Sequence, residues 1–512
     1  METILLQDNL LKLGYSDLNP MQREAVPLLT NPRLVVSAPT ASGKTLLALL
    51  KIVSYRQESK NKIIYLVPLR ALASEKYHEF TKSLAPFGIS VGISTGDLDS
   101  SSEQLAAFDV IIATSEKMDS LLRHKPPWVK DIGLTICDEV HLINDENRGA
   151  TLEIVLTKLM QRGVQLLALS ATVPNAREMA EWIGGVLFTH SYRPTKLTTC
   201  LCDRKHLFLH QKKEKLAGRE ETAVSELVKK ALTANENKGQ ALVFSSPRKS
   251  TESTATDLRE VTKAFLSPEE KIKCAELAAK ALHALCTPTP QCKVLSTCIA
   301  DGIAFHHAGL INRQRELIEE GFKRERCIKA IVCTTTLAMG VDYPASWVIV
   351  KDIKRFNGAY AQFIPNLEMQ QIVGRAGRPR FDKEGIAVLL CKSSEVNEVA
   401  EKYVYGKLED IYSKLSSEPV LRMHTLSLIA SNEATDFKSL YSFFEKTFYA
   451  YQYKNTEELF SKIESAVNEL KELDFCREKN AMLVATPVGK RVSELYIDPL
   501  SAAKLLEFIS KT

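Results

Sequence analysis

The sequence predicts two tandem α/β domains, each a parallel sheet flanked by helices, followed by a winged-helix domain. Three observations predict it. From the N-terminus to about residue 195, apolar runs alternate with helical stretches, the pattern of a parallel sheet with covered faces. The alternation restarts at Ala241 and continues to Leu390. After about residue 400 it gives way to short amphipathic helices and a strand-like pair around a polar turn. At 512 residues the chain is too long for one core and sufficient for about three or four domains.

In chain order, the first set of expected strands is Leu34–Ser37, Ile63–Val67, Val91–Ser94, Val110–Ala113, Leu134–Cys137 and Leu166–Leu169. A polar, basic stretch from Arg193 to Arg219 then includes an expected linker. The second set is Ala241–Phe244, Ile303–His306, Ala330–Cys333, Val348–Val350 and Ala387–Leu390, interrupted between about 250 and 300 by an alanine-rich helical insert. Helices are expected over His424–Ser431, Phe437–Lys446 and Thr456–Leu473, with a hairpin between Phe475 and Val492. The expected domains are 1–195, 196–400 and 401–492, with 493–512 opening a further helical region.

The apolar fraction of 45% and charged fraction of 25% are those of an ordinary globular chain. A net charge of +5 permits nucleic-acid binding without requiring it. No apolar run reaches membrane-spanning length and no signal peptide is evident, so no membrane partner and an intracellular location are expected. The spacings of Cys200, Cys202, Cys286, Cys292 and Cys298, among 11 cysteines, do not fit paired zinc-ligand patterns and read as free thiols.

The chemistry is carried by four motifs in a fixed order. Ala38-Pro39-Thr40-Ala41-Ser42-Gly43-Lys44-Thr45 follows the first strand and leads into a helix. Backbone N–H groups of such a loop surround a phosphate. Lys44 adds a point charge, and Thr45 offers its hydroxyl to Mg²⁺. Asp138 and Glu139 end another buried strand. There Asp138 is placed to hold Mg²⁺ through water and Glu139 to deprotonate an attacking water. Ser170-Ala171-Thr172 follows a third strand. Late in the chain, Gln371, Arg375 and Arg378 recur at near-helical spacing. Both guanidiniums are expected to point toward a γ-phosphate on the other α/β domain. Upstream, Gln22 is a candidate for adenine.

Together these motifs resemble a superfamily 2 helicase. Ser94-Thr95-Gly96-Asp97, Asp138-Glu139-Val140-His141, Ala304-Phe305-His306-His307-Ala308-Gly309 and Thr334–Ala345 are similar to the Hjm/HelQ DNA helicases and to the helicase part of DNA polymerase theta. That resemblance implies two RecA-like domains, then a winged helix, with ATP and Mg²⁺ as nucleotide and metal. Pro68, Arg70, Thr95, Gly96, Thr114 and Thr336 match the family's strand-contacting positions. Ser170 and Thr172 would couple hydrolysis to movement, and Gly340 and Asp342 would approach the nucleotide. The chain departs from the family's usual residues at Thr336, Asp342-Tyr343 and Ile372.

The implied activity is 3′-to-5′ translocation on single-stranded DNA, with unwinding of forked or branched DNA in repair and recombination. An RNA helicase, or an ATPase that remodels or anneals strands without processive unwinding, stands as the alternative. Asn357-Gly358 is a turn signal flanked by Phe356, Tyr360 and Phe363, where relatives carry a strand-separating hairpin. The resemblance further implies a C-terminal helical domain that this chain is expected to lack. On that expectation Leu500, Leu505, Leu506 and Ile509 would invite a partner protein or self-association. Such a protein would be cytoplasmic and nucleoid-associated in a prokaryote, as expected of an archaeal one, and nuclear in a eukaryote.

Overall fold

The computed structural model describes residues 3–95, 103–209, 212–217, 219–335, 343–356, 360–379 and 381–511. It divides into two compact units, one formed by Met1–Pro39, Gly43–Tyr192 and Asp410–Thr512, the other by Thr40–Ser42 and Arg193–Glu409. Among the described residues, no helix is long and apolar enough to cross a membrane.

The first unit is built on strands β1 (Arg33–Ser37), β2 (Lys62–Val67), β3 (Val91–Ser94), β4 (Val110–Thr114), β5 (Ile132–Cys137), β6 (Gln165–Ser170) and β7 (Val186–Thr189). Their order is β3-β4-β2-β5-β6-β1-β7. Every pairing is parallel. The strands read as apolar runs because helices cover both faces. Register brings their carboxyl ends level: Ser37 pairs with Ser170, Val67 with Thr114, and Leu66 with Cys137. The loops that follow β1, β2, β4, β5 and β6 therefore open on one edge, where open parallel sheets bind ligands.

The same unit contains the C-terminal residues. Helices Glu418–Ala430, Phe437–Phe444, Phe448–Tyr453 and Thr456–Glu472 precede the antiparallel pair β18 (Cys476–Lys479) and β19 (Met482–Ala485), and two more helices follow. Ala150 and Ile154, on the helix Gly149–Gln161, belong to this core rather than to that of the sheet. The same unit holds a buried ionic cluster. Arg123 and Lys158 both reach Asp119, Lys158 also meets Glu433, and the Tyr496 hydroxyl donates to Asp119 at 2.6 Å. Burial would raise the Asp119 carboxyl, but Arg123 and Lys158 outweigh it and hold it well below the usual range. Arg123 also donates to the Ser493 carbonyl at 2.6 Å.

The second unit holds β8 (Lys196–Cys202), β9 (His206–Leu209), β10 (Lys212–Lys215), β11 (Ala241–Phe244), β12 (Ile303–His306), β13 (Ala330–Cys333), β14 (Trp347–Val350) and β17 (Glu384–Leu390), in the order β10-β9-β8-β17-β14-β11-β13-β12. A separate antiparallel pair, β15 (Lys354–Phe356) and β16 (Ala361–Phe363), lies between β14 and β17 in sequence. The stretch read as polar and linker-containing is thus largely sheet. β8 runs parallel to β17 from Lys196↔Glu384 to Cys202↔Leu390, and β9 and β10 extend the edge. Its polarity reflects position: β10 is fully exposed, and lysines on an outer strand discourage further pairing.

Candidate active site

The phosphate loop joins β1 to the helix Lys44–Glu58. Ala41 and Gly43 both have positive φ, 64° and 88°. At Gly43 a Cβ would also lie 2.5 Å from Gln22 Nε2, so that amide would have to move aside. That amide donates to the Gly43 carbonyl at 2.9 Å, while Asn19 and Gln22 cap each other's backbone. Gln22, expected at the adenine, is therefore bonded to the loop itself. Lys44 donates to the carbonyls of Ala38 at 2.7 Å and Pro39 at 3.0 Å. Burial lowers its pKa, against the pull of Glu139 and Asp138.

Asp138 accepts from the Tyr65 hydroxyl at 2.8 Å. Its own carboxyl is raised by burial and by Glu139, against Lys76, Tyr65 and Lys44. Lys76 donates to Thr45 Oγ1 at 3.1 Å and to Glu79 at 2.8 Å. The Thr45 hydroxyl, at the start of the helix Lys44–Glu58, and the Asp138 carboxylate, just after β5, are hard-oxygen donors of the kind Mg²⁺ takes with phosphate and water. Among the described residues, no group of three or more His, Cys, Asp or Glu could hold a metal by itself. The residues present fit Mg²⁺ bound with a nucleotide.

Glu139 sits in the left-handed region at φ 54°, a costly backbone for a residue with a side chain. Its Oε2 is buried and accepts no hydrogen bond. His141 Nδ1 lies 3.5 Å from it but accepts the Ala171 N–H at 3.2 Å, so that nitrogen carries no proton. Burial, aided by Lys44, pushes the His141 pKa down to about 3 and keeps the ring neutral. Glu139 thus keeps an acceptor for a water proton. Ser170 Oγ lies 3.5 Å from the same Nδ1, and its carbonyl accepts the Ala38 N–H at 3.2 Å. Thr172, paired with Ser170 as a coupling candidate, is exposed.

Of the strand-contact candidates, Arg70 is exposed at the start of the helix Arg70–Leu84, Pro68 is buried and Thr95 is half-buried. Thr114 caps the helix Ser115–His124 by accepting from Lys117 N at 3.3 Å. A narrow pocket lined by Pro68, Ser115, Asp138, Glu139 and Arg148 connects these loops with the acids. Arg148 donates to the Pro68 carbonyl at 2.9 Å. Sequence reasoning missed Tyr65, Lys76 and Arg148, none of which stands in a motif. Gly96, Thr336, Gly340 and Asp342, with the turn Asn357-Gly358, lie outside the described residues.

In the second unit, Gln371 is buried on the helix Asn366–Val373 and Arg375 is half-buried near Cys333, at the carboxyl end of β13. Arg378 departs from the expected shared direction. It forms a two-pronged pair with Asp382 at 2.9 Å on both prongs, and donates to Lys238 O and Gln240 Oε1. Arg378→Ala is expected to destabilise this unit by about 3–5 kcal/mol, since it strands a buried carboxylate. Arg378→Lys should not restore it, because an ammonium cannot make the paired contact. Thermal unfolding checks both.

On the β15–β16 hairpin, Phe356 and Tyr360 are 70% and 63% exposed. Phe363, expected beside them on nucleic acid, is part of the root instead. Lys354 stands 4.2 Å over its ring, Tyr403 packs edge-on, and Arg355 pairs with Glu368 at 2.9 Å.

Residues 19–180 match the DEAD/DEAH box helicase model, 223–380 the Helicase conserved C-terminal domain, and 385–477 a Helix-turn-helix domain. The chain is 42% identical to the ATP-dependent DNA helicase Hel308 of Methanocella arvoryzae, over 97% of this chain and 67% of that protein. It is 39% identical to the Pyrococcus horikoshii Hel308 (97% and 68%) and 37% to that of Methanococcus vannielii (98% and 72%). The chain belongs to the Hel308 DNA helicases. As in that family's architecture, two RecA-like α/β domains precede a winged helix, and the Hel308 activity is that of an ATP-dependent helicase acting on DNA. The Helix-turn-helix match corrects the expectation of a Hel308-type chain lacking its helical C-terminal domain. The partner surface argued from that lack falls with it.

Proposed function

We propose that this chain hydrolyses ATP with Lys44, Thr45, Asp138 and Glu139 to move 3′ to 5′ along single-stranded DNA and open forked or branched duplexes in repair and recombination. The observation that carries this reading is the shared sheet edge. Register sets the phosphate loop, the two acids and the segments bearing Pro68, Arg70 and Thr114 at the carboxyl ends of strands in one parallel sheet.

Lys44 moves from the loop carbonyls to the β- and γ-phosphate oxygens. Mg²⁺, when bound, neutralises phosphate charge beside Thr45 and Asp138. Glu139 orients a water and takes its proton, while His141 stays neutral and holds Ala171. Arg375 is the arginine we assign to the γ-phosphate, since Arg378 is committed to Asp382. The strand is held through phosphates and sugars, with little sequence preference.

The test is ATP turnover with single-stranded DNA, single-stranded RNA or neither. DNA is expected to raise turnover well above the rate without nucleic acid. Equal stimulation by RNA, or none by DNA, would overturn the assignment.

A further inference from the structure

We propose that Lys76 is a positioning residue of the ATPase, the side chain through which the helix Arg70–Leu84 passes strand binding to Thr45 and Asp138. The proposal rests on the reading above, in which Arg70 and Pro68 meet the strand and Thr45 and Asp138 hold the metal.

Arg70 is the first residue of that helix and is exposed. Lys76 lies less than two turns further on, with a side chain only 11% exposed. Its ammonium donates to Thr45 Oγ1 at 3.1 Å and to Glu79 Oε2 at 2.8 Å. It also acts electrostatically on Asp138. One turn beyond, Phe80 packs edge-on against Tyr65 at 4.8 Å, and the Tyr65 hydroxyl donates to Asp138 at 2.8 Å. A single rigid helix thus starts at a strand contact and reaches both proposed metal-holding residues by separate routes.

The chemistry makes that contact consequential. Lys76 already donates a hydrogen bond to the Thr45 hydroxyl that a divalent cation would use, and its charge already favours the Asp138 carboxylate. Two cations close together repel. The position of Lys76 therefore sets how readily Thr45 and Asp138 accept the metal. Glu79 gives the ammonium a second partner, so a small shift of the helix can move it from Thr45 toward Glu79. Strand binding at the first turn would supply such a shift.

The experiment measures one coupling ratio from both directions. With the chain saturated by a fluorescent ADP throughout, Mg²⁺ is titrated with and without a single-stranded oligonucleotide, and the oligonucleotide is titrated with and without Mg²⁺. The two ratios must agree, and in the unaltered chain they are expected to be of the order of tenfold. Lys76→Met is expected to bring the ratio below about twofold, and Glu79→Gln to reduce it as well. A lysine that only supports the fold would weaken both affinities and leave the ratio intact. That result, in Lys76→Met or, should it not fold, in Glu79→Gln, overturns the proposal, as does an absence of coupling in the unaltered chain. Thr45→Ala and Asp138→Asn test the underlying reading separately. If neither changes the Mg²⁺ dependence of ADP binding, the metal assignment fails whatever Lys76 does.

Discussion

Glu139→Gln is expected to bind ATP with Mg²⁺ much as the unaltered chain does and to lose turnover by about 10²–10⁴-fold, the usual share of a general base. The substitution is nearly isosteric, so the left-handed backbone at φ 54° and the neighbouring His141–Ala171 contact are preserved. What disappears is a proton acceptor. Oε2 of Glu139 meets no donor, and His141 Nδ1, 3.5 Å away, is already accepting from Ala171. The neighbouring His141 cannot replace it, being too weak a base at about 3. Fluorescent-nucleotide binding beside steady-state hydrolysis is the check. Near-normal turnover would move the base elsewhere.

Shortening the β15–β16 hairpin, by replacing Phe356–Tyr360 with a minimal turn, is expected to abolish unwinding while DNA-stimulated hydrolysis persists. Stacking on an aromatic side chain contributes roughly 1–3 kcal/mol per base, comparable with the cost of opening a base step. Phe356 and Tyr360 are the exposed aromatics here, and the root is braced by Arg355–Glu368, Lys354–Glu395 and the packed Phe363. A braced stem with exposed rings can act as a wedge. The deletion leaves Lys44, Asp138 and Arg375 untouched. Single-turnover unwinding of a 3′-tailed duplex, with ATPase measured in parallel, gives the answer, and full-rate unwinding would place the wedge elsewhere.

Much of this was legible in the sequence because it is local. A strand such as Val110–Thr114 declares itself through five consecutive buried residues, and the phosphate loop through residues that are contiguous. What was illegible depends on partners far apart in the chain. Arg378 looks identical to Arg375 until Asp382, Gln240 and Lys238 converge on it. Phe363 reads as one more hairpin aromatic until Lys354 and Tyr403 close around it. Lys76 belongs to an unremarkable amphipathic helix, and its tie to Thr45 comes from packing between two helices. β8 was missed for another reason. Lys196, Thr198 and Thr199 lack a strong apolar signature, and the strand is defined by its long parallel pairing with β17.

The placement of Asp410–Thr512 with the first sheet has a consequence for how the chain comes to be folded. On the ribosome, β1 to β7 emerge first, and the whole second unit is made before the C-terminal helices appear. Until then Ala150 and Ile154 lack the apolar neighbours that bury them, and Arg123 lacks the Ser493 carbonyl. The unit made first is thus the unit finished last, its closing step a contact of very long sequence separation. The nascent chain must carry an unsealed hydrophobic and ionic face through most of its synthesis. That interval is when chaperones would be expected to attend it.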